Sequence, residues 1–297
     1  MVASLGWQSI FLINLPVGML AIWMTYRFLR ETPQKADGTP VDWAGQGLVV
    51  LTLFALTGAF IEAGSSGWRS LPVMGGLSLA MIAGGIFLLV ESRVKAPMVP
   101  LRLFAGKVPA ATSLVGLAVN LTLYGTIFML SLYFQRERQF SPEMTGLAFL
   151  PFMAAVAVSN IAAGRIVASH GARWPMTIGL LIGATGFALL ALIQPDTSYV
   201  GLLWRLLFLP VGIGLAVPAM TTALLSAVPA EMSGTASGVL NTVRQSGGAI
   251  GVALFGSALA LGTIEGMRLA FLGSALAVAL AAVCAVLFVR DVDRAGQ

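Results

Sequence analysis

Apolar residues in this chain gather in blocks of about twenty, separated by short polar segments. A helix rises about 1.5 Å per residue, so about twenty residues match a hydrocarbon layer about 30 Å thick. The pattern predicts nine such spans, at about 10–28, 43–61, 72–90, 108–134, 144–168, 175–194, 199–226, 235–262 and 267–289. A membrane β-barrel would instead show strands of about ten residues with alternating polarity, and none is visible. The predicted fold class is an all-α polytopic membrane protein.

The polar breaks carry their own signals. Asn14 and Pro16 interrupt the first span, which a helix bundle tolerates when neighbours re-satisfy the freed backbone groups. Residues 30–42 hold two prolines and mixed charges and read as a loop. Asp42 is placed to cap the second span, at the positive end of its helix dipole, and Glu62 closes that span. The segment 91–109 carries four basic residues and reads as an amphipathic stretch lying in the interface. The chain opens without a basic n-region, so no cleavable signal peptide is expected.

Composition agrees with the pattern. Hydrophobic residues make up 58% and charged residues 10%, against about 25% charged in an ordinary soluble chain. The net charge of +5 is loop charge rather than a nucleic-acid surface. With the N-terminus outside, the cytoplasmic loops and helix ends take eleven Lys and Arg, among them Arg27, Arg93, Arg165, Arg173 and Arg290. The outer loops take only Arg69, Arg136, Arg138 and Arg268. That bias predicts a cytoplasmic C-terminus by the positive-inside rule.

The stretch 234–255 is the most informative. It reads as apolar enough to cross a bilayer, yet holds Asn241, Thr242, Arg244 and Gln245 near its middle. Its glycines at Gly234, Gly238, Gly247, Gly248 and Gly251 include two pairs four residues apart, which share a helix face and allow close helix approach. An arginine at this depth costs roughly 2.5–3.5 kcal/mol on insertion scales. Either Arg244 lines a water-filled path, or its side chain runs back to the cytoplasmic surface. Asn120 and Tyr124 share one face of the fourth span. They and Asn160 read either as pathway residues or as interhelical hydrogen-bonding groups. Arg205, beside Trp204 near its span's outer end, reads as a snorkelling side chain.

Several chemistries find no residues to carry them. The only His and Cys, His170 and Cys284, lie in different segments, so neither a nucleophilic triad nor a metal site can be assembled. No GxxxxGK[ST] loop is present. The chain reads as a non-enzyme without cofactor or metal, and energy would come from an ion gradient. Proton coupling calls for a carboxylate inside the membrane, yet all twelve acids fall in loops or at span ends.

The run G-x-A-S-G-x-x-N-T-x-R-Q-x-G-G-A-x-G from Gly234 to Gly251 resembles the penultimate helix of the fourteen-helix drug:proton antiporters, a branch of the major facilitator superfamily. W-x-x-I-F-L-I-N-L-P-x-G from Trp7 to Gly18 resembles their sixth helix. Asp42-Trp43-x-Gly45, with Glu62-x-Gly64 and Gly67-Trp68, resembles the first of two extra helices between the halves. Pro100–Phe104 resembles the phrase leading into the C-terminal half. Gly164-Arg165 with His170-Gly171-Ala172-Arg173 resembles the superfamily's cytoplasmic gating loop, without its Asp and hence without that salt bridge.

The resemblance implies helices six to fourteen of a partial major facilitator fold. Residues 1–28 would end the N-terminal domain, 29–107 would be a loop, a two-helix linker and a basic connector, 108–290 the C-terminal six-helix domain, and 291–297 a cytoplasmic tail. It implies export of lipophilic or cationic compounds in exchange for protons, across the inner (plasma) membrane, by alternating access. Asn120, Tyr124, Asn241, Arg244 and Gln245 would line the path. Gly164, Arg165, Arg173 and the five glycines of the 234–251 run would serve packing and gating. The family's intramembrane acids lie in its first five helices, which the chain then lacks, so those helices are an implied partner. Two rival readings stand: the same fold exporting another metabolite, such as a siderophore, sugar or amino-acid-like compound, or a fragment without transport activity of its own.

Overall fold

The computed structural model describes residues 14–28, 42–94 and 106–289, with isolated positions at 12, 97, 99 and 104. Every regular element among them is helical. Residues 7–11, most of the Pro100–Phe104 phrase and the tail 291–297 lie outside the described residues. The chain divides into two compact units, Met1–Pro40 and Val41–Gln297.

The first unit contributes α1 (Asn14–Phe28), with no buried residue. Asn14 and Pro16 lie at the beginning of the described part of this helix.

The second unit opens with a hairpin of α2 (Trp43–Ser66) and α3 (Leu71–Arg93). Asp42 Oδ1 accepts from Gly45 N–H at 2.8 Å and starts α2. Gly67, at φ +80°, turns the chain into α3. Ala55, Ala59 and Ala63 are buried in α2, and Ala80 and Ala83 in α3. A Cβ on Gly76 would stand 2.9 Å from the Ala59 methyl. Small residues at this spacing bring backbones together without a hydrophobic driving force.

The rest is α4 (Lys107–Arg136), α5 (Pro142–Ala148), α6 (Leu150–His170), α7 (Arg173–Leu190), α8 (Tyr199–Leu206), α9 (Phe208–Ser226), α10 (Ser233–Ala258) and α11 (Thr263–Phe288). The expected spans 144–168 and 199–226 are each broken, at Phe149 and Leu207. Pro151 and Pro210 follow within the next turn. A proline ring clashes with the preceding turn and removes its hydrogen bond. Gly262, at φ +101°, lets α11 start at Thr263, four residues earlier than expected.

Among the described residues, seven segments are long and apolar enough to cross a membrane: the α2 and α3 helices, α4, α5 with α6, α7, α8 with α9, and α11. The described part of α1 has 15 residues, short of a full span. α10 is 26 residues long, but its hydroxyls, amides and Arg244 leave it too polar for that set, contrary to the reading of this stretch as sufficiently apolar. Its neighbours explain how it is accommodated, since α10 packs against α4 and α2 rather than standing alone.

The packing of these helices is two-fold related. α4 packs on α10 as α9 packs on α6; α7 packs on α9 as α11 packs on α4; α7 meets α11, and α4 meets α9. Exchanging α4 with α9, α6 with α10 and α7 with α11 returns the same set. Two repeated three-helix units would pair in this way, although the further contact of α9 with α10 has no such counterpart between α4 and α6. The closest approaches need glycine. A Cβ on Gly179 would stand 2.5 Å from Gly212 O, and one on Gly212 2.5 Å from Gly179 O.

Candidate functional site

The candidate site is the seam between α4 and α10. On α4, Gly116, Asn120 and Tyr124 recur every four residues and so form one stripe. Asn120 is buried, Tyr124 is 43% exposed. Facing them, Arg244 is twelfth of the 26 residues of α10, about 17 Å from the helix start at 1.5 Å per residue. Its Nε lies 3.4 Å from Asn120 Oδ1. Its alkyl stem crosses Gly116, where a Cβ would stand 2.9 Å from Arg244 Cγ and 3.3 Å from Met220 Sδ. The Tyr124 ring lies over Gly248, with 2.9 Å between its Cδ2 and a Cβ there.

Backbone contact holds the seam. Cβ atoms on Gly247 and Gly251 would stand 2.6 Å from Leu117 O and 2.0 Å from Leu121 O. Gly125 likewise accommodates the Phe255 ring, 2.5 Å from a Cβ at that position. Gly234 and Gly238 behave differently: a Cβ on either meets nothing within 4 Å. The second glycine pair thus meets α4, and the first faces open space within this unit.

That open space continues along α10. Gly234, Ser237, Gly238, Asn241, Thr242 and Gln245 are all exposed. Thr242 Oγ1 donates to Gly238 O at 3.0 Å, and no side-chain hydrogen bond joins Asn241 or Gln245 to the described residues. Two amides left unpaired in hydrocarbon would cost several kcal/mol. This face therefore meets water or further protein. Arg244 also has no carboxylate partner among the described residues; the Asn120 amide oxygen accepts one hydrogen bond from it but does not neutralise its charge.

The remaining candidates lie elsewhere. Arg173 Nη2 donates to Val286 O at 2.8 Å and ties the start of α7 to the end of α11. Gly164 has open space around it, and Arg165 is exposed. Asn160 is exposed on α6. Arg205 lies over the Trp204 ring at 5.4 Å, with its buried Nε and Nη1 unpaired among the described residues. Ser66 Oγ donates to Glu62. Glu91, at the end of α3, is 3% exposed and accepts from Val99 N–H at 3.2 Å. A Cβ on Gly45 would meet Asp42 Oδ2 at 2.5 Å and Glu91 Oε1 at 3.1 Å, so both carboxyls converge on the start of α2. Among the described residues no group of His, Cys, Asp and Glu could hold a metal.

Sequence reasoning missed Gly116 and Gly125. Their signal was present as a four-residue offset from Asn120 and a nine-residue one within α4, but nothing in it said which helix they would face.

The profile described as Major Facilitator Superfamily matches residues 1–252. The methylenomycin A resistance protein of Streptomyces coelicolor is 36% identical over 259 residues, which is 87% of this chain and 54% of that protein. That of Bacillus subtilis is 34% identical over 286 residues, 95% of this chain and 61% of the relative. The multidrug resistance protein Stp of Mycobacterium tuberculosis is 34% identical over 255 residues, 86% and 47% respectively. The chain thus spans about half the length of the curated relatives it matches.

Proposed function

The chain belongs to the major facilitator superfamily, and on that premise we propose that it serves proton-coupled export of drug-like compounds, lipophilic or cationic, by alternating access. Its place is the plasma membrane, with the C-terminus in the cytoplasm, and its branch is that of the fourteen-helix antiporters, of which it supplies helices six to fourteen. The names of the relatives, which concern drug resistance, support the substrate class.

One observation carries the reading. Arg244 lies near the middle of α10, bonded to buried Asn120 and lacking a carboxylate among the described residues. Beside it runs the exposed polar face of Asn241 and Gln245. A bilayer would penalise that combination, whereas a substrate path uses it: water or a polar substrate group solvates the open amides, and the guanidinium attracts a carboxylate or a substrate acceptor. A segment covering this face would close the path and bring the acid that titrates during coupling.

The test is transport by proteoliposomes under an imposed pH gradient, with the chain alone and with the chain joined to the N-terminal half of a relative. Gradient-driven drug movement that Arg244→Ala abolishes, at unchanged membrane abundance, supports the reading. Equal transport by that variant would overturn it and leave Arg244 as a packing residue.

A further inference from the structure

A cavity lies away from the Arg244–Asn120 pair. It has a volume of about 670 Å³ and opens between the α2–α3 turn and helices α4, α10 and α11. That volume falls within the range of about 300–1,000 Å³ typical of small-molecule sites. No charged residue lines it, and its walls include Trp68, Leu121, Phe255, Leu261 and Leu269. Three hydroxyls also face it, but each already donates within its own helix. Thr122 Oγ1 donates to Ala118 O at 2.8 Å, Ser257 Oγ to Leu254 O at 2.8 Å, and Ser274 Oγ to Ala270 O at 2.7 Å. Apart from the Trp68 indole N–H at one end, the lining's side chains thus offer an occupant no free donor and no charge. A charged group, or one rich in acceptors, would lose its water without replacement there.

The cavity is elongated along the bundle. It reaches from Trp68, in the α2–α3 turn, to Thr122 and Ala277 near the midpoints of α4 and α11. From Leu269 to Ala277 is eight residues, about 12 Å at 1.5 Å per residue. Tryptophan at a span end sits at headgroup level, so the mouth is interfacial and the floor lies in the hydrocarbon. Leu269, Leu272 and Leu276, between 51% and 62% exposed, continue the apolar surface beside it. Gly273 lies on this wall, and a Cβ there would meet nothing within 4 Å. A mid-helix glycine costs about 1 kcal/mol relative to alanine; here no close helix contact requires it, and its effect is to widen the cavity.

We propose that this cavity binds one neutral alkyl chain, that of a membrane phospholipid, as a site separate from the substrate path. It does not depend on transport.

The test uses the chain in phosphatidylcholine nanodiscs containing a lipid with a diazirine on its acyl chain. Photolysis and peptide mass spectrometry should place adducts within 254–277. Gly273→Phe, which fills the cavity, should abolish them. Gly85→Phe should not, since its Cβ also meets nothing within 4 Å but lies on α3 away from the cavity. Circular dichroism and elution volume establish that each variant folds, and Gly273→Leu replaces the Phe variant if it does not. Adducts spread alike over α3 and α11, and unchanged by filling the cavity, would mean ordinary annular lipid and overturn the proposal. Adducts in 254–277 from a free diazirine-bearing fatty alcohol, with none from the phospholipid, would overturn the assignment to lipid.

Discussion

Gly251→Ala puts the α4–α10 seam to its strictest test. A Cβ there would stand 2.0 Å from Leu121 O, 2.8 Å from Leu121 C and 2.9 Å from its Cα. All three opposing atoms are backbone, so no rotamer change relieves the clash. Ordinary van der Waals contact begins near 3.4 Å, so α10 must retreat by about 1.4 Å at this point. Overpacking a core costs roughly 1–3 kcal/mol where side chains can adjust. Here the top of that range applies, about 3 kcal/mol. Alanine's better helix propensity returns up to about 1 kcal/mol. The net loss of about 2 kcal/mol lowers Tm by about 4–8 °C, at about 2–4 °C per kcal/mol. The retreat also opens the Arg244–Asn120 contact, already long at 3.4 Å. Gly238→Ala is the matched control: same helix, same chemical change, open space at its Cβ. It should raise Tm slightly. The assay is thermal unfolding in detergent, followed by reaction of a thiol dye with Cys284, the chain's single cysteine, on α11. Equal Tm for Gly251→Ala and Gly238→Ala would refute the seam.

Further expectations follow from the same geometry. Gly45→Ala should destabilise the α2–α3 hairpin by roughly 1–3 kcal/mol, because its methyl would press on Asp42 and Glu91; amide exchange in residues 43–50 reports it, and unchanged protection would count against that packing. Asp42→Ala should cost about 1 kcal/mol as a lost N-cap, and Asp42→Asn should recover most of that in the same exchange measurement. Gln245→Leu with Asn241→Leu should leave Tm unchanged or higher yet abolish gradient-driven transport in proteoliposomes, since both amides are exposed and unbonded within this unit. Asn120→Leu should weaken transport and lower Tm by leaving the guanidinium without its partner; retained transport would move Arg244 out of the path.

Much of the fold was legible in the order of residues, because hydrophobic length is a local property. Blocks of about twenty apolar residues mark spans wherever they pack. The Asp42–Gly45 cap is likewise set within one turn, and the broken spans follow from Pro151 and Pro210. The glycine run on α10 announced close packing but not its address. Gly247 and Gly251 meet α4, whereas Gly234 and Gly238, at the same spacing, meet nothing. Helical periodicity sorts residues into faces and is silent on which neighbour each face meets. That neighbour lies 124 residues away for Arg244 and Asn120. The two-fold packing, the burial of Glu91 and the cavity beside Gly273 are products of the same long-range assembly, where the arrangement of whole helices, rather than any stretch of sequence, decides what each side chain touches.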